Sequence, residues 1–239
     1  MTKVGGMEAT VERGRVLVVE DDADLRVTMA GALAGDGHAV TEAADGRAAL
    51  DALAGEGFDL IVLDLGLGTG PDGIEVCRRL RATGDGAHVM ALTARDGEAD
   101  IVLALEAGAD DYVTKPVGLA ELRSRVRAVL RRVRRRENGS GGVRHGELRV
   151  APDQRSVHVG DTELALTYSE FEVLHALVRA GGRLLSRQEL LDALFGDHRF
   201  RDPRAIDVHV HHVRDKLAAA GADPATVVTV RGAGYRLKG

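Results

Sequence analysis

Five short apolar runs, each followed by a stretch of helical composition, constrain the front half of this chain more than any other feature. Val16–Val19, Ala39–Val40, Leu60–Leu63, Val89–Leu92 and Tyr112–Val113 alternate with segments near 23–35, 46–54, 73–83, 97–107 and 118–135. The first, third and fourth runs are almost wholly apolar, as strands of a parallel sheet covered on both faces must be. Five β-α repeats within about 120 residues predict a five-stranded, doubly wound α/β domain over 14–136, with residues 1–13 as an extension. Sheets of this kind bind ligands beyond the carboxyl ends of their central strands.

The period changes after residue 136. Glu137-Asn-Gly-Ser-Gly-Gly142 reads as a flexible linker over 137–143. Beyond it, over 144–239, alternating stretches at 147–150, 155–159 and 163–166 predict a small antiparallel sheet. Helices are expected at 168–180, 187–194 and about 203–219, and Thr167-Tyr-Ser-Glu170 has capping-box spacing. Thr226–Val230 and Tyr235–Leu237, joined through Arg231-Gly-Ala-Gly234, close the chain as a hairpin. This α+β order is that of a winged helix-turn-helix DNA-binding domain. Charge divides the same way: residues 1–122 carry 10 basic and 23 acidic side chains, whereas 123–136 carry eight Arg and no acid. No run suits a membrane span or a signal peptide, and a single Cys excludes an internal disulfide, so a cytoplasmic location is expected.

Chemistry-bearing residues collect where such a sheet places its site. Glu20-Asp21-Asp22 follows the first strand, Asp64 ends the third, Thr93 ends the fourth and Lys115 follows the fifth. Clustered carboxylates repel one another, and a hard cation such as Mg2+ relieves that repulsion. A carboxylate, a divalent ion, a hydroxyl and an ammonium form a phosphoryl-transfer set, with the carboxylate attacking. Solvated acids at strand ends would account for any one of these residues but not for all of them together.

The ordered motifs Val18-Val-Glu-Asp-Asp22, Val62-Leu-Asp64, Ala91-Leu-Thr-Ala94 and Gly108-Ala-Asp-Asp-Tyr-Val-Thr-Lys-Pro116 resemble those of two-component response regulators of the OmpR/PhoB family, from about residue 14 onward. The resemblance implies that Asp64 accepts a phosphoryl group from a sensor histidine kinase. Glu20, Asp21, Asp64 and the main-chain carbonyl of Gly66 would hold Mg2+. Lys115 and Thr93 would contact the phosphoryl oxygens, with Tyr112 as the switch aromatic. Activation would then pair two receivers into a homodimer through Val102, Leu105, Glu106, Asp111, Arg125 and Arg127. Of the usual ion pairs on that face, Asp111–Arg125 and Glu106–Arg127 are present, but Glu121 faces Ile101 instead of a base. The loop after Asp64 also departs from the pattern: Gly68 replaces the usual Pro, and the stretch to Gly73 is one residue longer.

In the back half the resemblance rests on Leu166-Thr-Tyr-Ser-Glu-Phe171, Ser186-Arg-Gln-Glu-Leu190, Asp207-Val-His-Val210, Arg214-Asp-Lys-Leu217 and Thr229-Val-Arg-Gly-Ala-Gly-Tyr235. Ile206, Val210, Val213 and Leu217 form the buried stripe of a helix whose exposed side offers Arg204, His209, His211, His212 and Arg214. By resemblance, His211 and His212 read bases, Arg204, His209 and Arg214 lie nearer phosphates, and Arg231 enters the minor groove of promoter DNA. RNA polymerase is the further implied partner.

Other readings are weaker on the residues. Gly68-x-Gly70-x-x-Gly73 spells a dinucleotide fingerprint, but it follows the third strand and lacks the acid some 20 residues on. An Asp-nucleophile phosphohydrolase needs a second carboxylate two residues after Asp64, where Gly66 stands, so no enzyme is expected. His209 and His212 share a helix face, without the further ligands of a zinc site. The main alternative is a phosphorylation-independent regulator whose receiver is a constitutive dimerisation module.

Overall fold

A computed structural model describes residues 13–94, 98–135, 142–196 and 203–239. Most of the expected linker and the N-terminal extension lie outside these residues. The front half contains β1 (Arg15–Val19), α1 (Ala23–Gly35), β2 (Ala39–Ala43), α2 (Gly46–Gly55), β3 (Leu60–Asp64), α3 (Gly73–Ala82), β4 (His88–Thr93), α4 (Glu98–Glu106), β5 (Asp111–Thr114) and α5 (Leu119–Arg135). The strands are parallel in the order β2-β1-β3-β4-β5, which puts the tips of β1, β3 and β4 side by side at the sheet centre.

Alternation along the strands sorts the core into two layers. Val16, Val18, Leu60, Val62, Met90 and Leu92 pack on Met29 and Leu33 of α1 and on Leu122, Val126 and Val129 of α5. Leu17, Val19, Ile61, Leu63, Val89 and Ala91 pack on Val76, Cys77 and Leu80 of α3 and Ala104 of α4. Three helices on this half begin at Asp caps: Asp22 accepts from Leu25 N, Asp45 from Ala48 N and Asp72 from Glu75 N. Part of the acidity at the strand ends therefore starts helices.

The back half opens with an antiparallel sheet of β6 (Val143–His145), β7 (Leu148–Ala151), β8 (Ser156–Val159) and β9 (Thr162–Glu163). Then come α6 (Tyr168–Arg179), α7 (Arg187–Phe195), α8 (Arg204–Ala219), β10 (Val227–Val230) and β11 (Gly234–Leu237). Capping boxes start α6 (Thr167, Glu170) and α7 (Ser186, Glu189). Strand β6 has no counterpart in the sequence reading, because Val-Arg-His is too short and polar to register as a strand. The stripe Ile206, Val210, Val213 and Leu217 packs against Phe171, Leu174 and Leu190, as expected. No helix among the described residues is long and apolar enough to cross a membrane.

Candidate phosphoacceptor site and nucleic-acid surface

The strand tips bring Glu20, Asp21 and Asp64 together, with one carboxylate oxygen from each within 4.8 Å of the others. Glu20 is 1% and Asp64 4% exposed, whereas Asp21 faces solvent. Lys115 joins the buried pair, its Nζ lying 2.6 Å from Glu20 Oε2 and 2.9 Å from Asp64 Oδ2. Burial raises the Glu20 pKa, an effect that the Lys115 hydrogen bond only partly offsets. For Lys115, burial disfavours the charge, but the hydrogen bonds to Glu20 and Asp64 outweigh it and hold the ammonium above its ordinary pKa. Three oxygen donors, two of them buried and close enough to repel, fit a hard divalent cation.

Backbone completes the pocket. Gly66 N donates to Asp64 Oδ1 at 3.1 Å and Gly68 N to Asp21 Oδ2 at 3.1 Å. The longer loop after Asp64 thus still aims two amides at the carboxylates. It is held by close approaches that only glycine permits: a Cβ on Gly73 would fall 2.2 Å from the Asp64 carbonyl oxygen, and one on Gly46 1.9 Å from that of Pro71. Arg26 fixes the other wall, donating to the Glu20 carbonyl at 2.7 Å. The sequence reading missed Arg26; its place in the first turn of the helix after Glu20 was the available signal. Thr93 is buried at the end of β4, and Lys115 N donates to its carbonyl at 2.7 Å. Tyr112 is half-buried against the layer under α2, α3 and α4. Asp64 is thus faced by one ammonium and one backbone amide, and a second amide is aimed at Asp21 beside it.

On the expected pairing face, Val102 is half-buried, while Glu106 and Arg127 are exposed. Leu105 is 1% exposed, so in this arrangement it offers no contact surface; Leu103, at 46%, is the exposed apolar residue of α4. Arg125 lies 3.4 Å from Asp111 and 2.8 Å from Glu121 within one chain. Glu121 takes the guanidinium one turn along its own helix.

Helix α8 also differs from expectation. Arg204, His211 and Arg231 are exposed. His209 is not: it is 1% exposed and hydrogen-bonds to the main chain of Asp110 in the front domain, so the expectation of an exposed phosphate contact fails for this arrangement. Burial lowers its pKa, although Asp110 and Glu170 oppose the shift. His212 is half-buried with Nδ1 3.4 Å from Glu170 Oε1, while Lys216 Nζ lies 2.5 Å from Glu170 Oε2. Arg214 holds the hairpin, donating to the Val227 carbonyl at 2.6 Å and to Thr229 Oγ1 at 2.7 Å. Arg187, which the sequence reading did not single out, reaches Asp207 Oδ1 at 2.7 Å, and the Tyr235 hydroxyl donates to the same oxygen at 2.5 Å. These contacts lock α7, α8 and the hairpin into one basic surface.

The response regulator receiver domain matches residues 16–127, and the C-terminal domain of transcriptional regulatory proteins matches residues 161–237. The sensory transduction protein RegX3 of Mycobacterium tuberculosis is 42% identical over 94% of this chain and 99% of its own length. The alkaline phosphatase synthesis transcriptional regulatory protein SphR of Synechococcus elongatus is 41% identical, over 93% and 90%. Among solved structures, a variant of RitR aligns with a TM-score of 0.74 at 26% identity, covering 94% of this chain and 99% of that one.

Proposed function

Because the chain belongs to the OmpR/PhoB family of two-component response regulators, with a receiver and a DNA-binding domain, we propose that Asp64 is its phosphoacceptor. Family membership implies a histidine kinase upstream and double-stranded DNA downstream. The observation that carries the assignment is Asp64, buried, 2.9 Å from the Lys115 ammonium and beside Glu20 and Asp21.

In the proposed step an Asp64 oxygen attacks the phosphorus of a phosphohistidine. A P–O bond forms as the P–N bond breaks, and the electron pair leaves with the histidine nitrogen. Lys115 transfers its hydrogen bond from the Asp64 carboxylate to a phosphoryl oxygen, the Gly66 amide supports the attacking carboxylate, and the Thr93 hydroxyl turns toward the new group. Glu20, Asp21, Asp64 and the Gly66 carbonyl would hold Mg2+, which when bound neutralises charge on the transferring oxygens. No second carboxylate stands two residues after Asp64 to activate water, so the group is retained as a signal, not turned over.

In this reading phosphorylation pairs two receivers through the α4–β5–α5 face, including Val102, Leu105, Glu106, Asp111, Arg125 and Arg127. Two α8 helices then occupy successive major-groove half-sites, with His211, His212, Arg204 and Arg231 at the DNA and His209 joining them once uncovered. RNA polymerase would be engaged from that complex. Intact-mass measurement with acetyl phosphate and Mg2+, against Asp64→Asn, tests this. An adduct requiring Asp64 and accompanied by dimer formation is expected. A dimer forming equally without donor and in the Asn variant would point to a phosphorylation-independent regulator.

A further inference from the structure

The three consecutive acids after β1 are held in three different ways. Glu20 Oε2 lies 2.6 Å from Lys115 Nζ and shares that ammonium with Asp64. Asp22 accepts from Leu25 N at 3.0 Å and is spent on starting α1. Asp21 is exposed, and among the described residues no cation pairs with its carboxylate. Its partner is a main-chain amide 47 residues further along the chain: Gly68 N, 3.1 Å from Oδ2. Residue 68 is also where the loop after Asp64 departs from the family pattern, with Gly in place of the usual Pro. Proline has no N–H, so the usual residue could not make this bond.

The donor sits on a loop pinned at several points. Leu67, next to it, is 8% exposed and belongs to the core layer that contains Ala49, Val76 and Cys77. Asp72 accepts from Glu75 N at 2.8 Å to start α3, and Gly73 N donates to the Leu65 carbonyl at 3.4 Å. The Pro71 carbonyl is seated against Gly46, where a Cβ would come within 1.9 Å. Gly68 itself is exposed, and a single exposed hydrogen bond adds little to stability. Its value is directional. Mg2+ demands near-ideal octahedral geometry, and a carboxylate that binds a metal through one oxygen is oriented by the hydrogen bond that the other accepts.

We propose that the Gly68 amide is a positioning group of the cation site. By holding Oδ2 of Asp21 it leaves Oδ1 for the cation, and it gives this one exposed acid the fixed orientation that Lys115 gives to Glu20 and Asp64. The inference rests on the reading of Glu20, Asp21 and Asp64 as the Mg2+ ligands. In this chain the longer loop is therefore part of the cation site as well as its frame. A Cβ on residue 68 would lie 3.0 Å from the same Oδ2, so the glycine also sets how closely loop and acid approach.

The test compares wild type, Gly68→Pro and Gly68→Ala as full-length proteins, each titrated with Mg2+ and followed by calorimetry. Gly68→Pro removes the N–H, and its Mg2+ dissociation constant should rise about tenfold, the lower end of what losing a hydrogen bond to a metal ligand costs. Gly68→Ala keeps the N–H and asks the exposed Asp21 to yield by a few tenths of an ångström, so it should recover most of the affinity. Equal constants for wild type and Gly68→Pro, or Gly68→Ala as weak as Gly68→Pro, would overturn the inference while leaving the metal site in place. No Mg2+ binding by wild type would remove the metal-site reading and the inference with it. Should Gly68→Pro melt lower than wild type in a chelator, hydrogen exchange at the Gly68 amide of wild type, followed by NMR, decides instead. The amide should be protected without metal and stay protected when Mg2+ is added; exchange that speeds up on adding Mg2+ would show the cation displacing the amide and would overturn the inference.

Discussion

Replacing Lys115 by Met isolates what the ammonium contributes. In the native pocket its Nζ is hydrogen-bonded to Glu20 at 2.6 Å and Asp64 at 2.9 Å, two carboxylates almost wholly removed from water. Removing one partner from a buried ion pair costs about 3–5 kcal/mol, because the remaining charge is left without compensation. The Lys115 side chain retains 18% exposure, so water can partly replace it, and the lower end, about 3 kcal/mol, applies. For a receiver of this length 1 kcal/mol corresponds to roughly 4 °C, so the receiver melting transition in a chelator should fall by about 12 °C. Adding Mg2+ should restore most of this loss. Glu20 and Asp64, released from Lys115, would help hold the cation, and saturation to about 100 times the dissociation constant contributes about 2.7 kcal/mol. Calorimetry of wild type and Lys115→Met, with EDTA or Mg2+, reads both quantities. A drop of less than about 3 °C without metal, or equal Mg2+ shifts in the two proteins, would refute the reasoning that ammonium and cation share these oxygens.

Gly46→Ala would put a methyl group 1.9 Å from the Pro71 carbonyl oxygen and displace the loop that carries Gly66 and Gly68. A loss of about 1–3 kcal/mol and a smaller Mg2+-induced melting shift are expected, measured by the same calorimetry. Tyr235→Phe removes the 2.5 Å hydrogen bond to Asp207, and denaturant unfolding of the winged-helix domain should register a loss of about 1.5–3 kcal/mol. The contact between the two domains at Asp110 and His209 should weaken in acid. Burial lowers the His209 pKa below its ordinary 6.5, so the arrangement that buries it binds fewer protons than one in which it is exposed. Its stability is complete above that ordinary value and declines as pH falls below it. Asp110, Glu170 and His212 face this ring, with Arg81 and His88 on Asp110, and Lys216 on Glu170; Asp110 itself is held below the ordinary carboxylate range because Arg81, His88 and two amides outweigh its burial. Scattering between pH 7.5 and 5.5 should therefore show wild type expanding more than His209→Gln, and equal expansion in the two would count against His209 as the sensor.

The sheet and its layers were legible because burial on both faces leaves a mark on each strand. Val16 to Val19 must be apolar throughout, since Val16 and Val18 meet α1 and α5 while Leu17 and Val19 meet the opposite layer. The phosphoacceptor pocket was legible for a related reason: parallel topology sends the ends of β1, β3, β4 and β5 to one edge, so Glu20, Asp64, Thr93 and Lys115 converge whatever the loops do. His209 and Leu105 were not legible. Their own helices place both on expected output surfaces, yet both are buried, His209 against Asp110 of the other domain. Such burial depends on shape, and no period within either helix records it.

Asp110 and Asp111 carry the contrast to a single peptide bond. A pair of adjacent acids reads from the sequence as one acidic patch, but successive side chains entering a strand point to opposite faces. Asp111 turns to Arg125 of α5, 3.4 Å away. Asp110 turns the other way, to Arg81 of α3 and to Ser169 of the second domain. The first acid thus contacts both domains and the second stays within the receiver, and β5 ties the positions of both to that of Lys115.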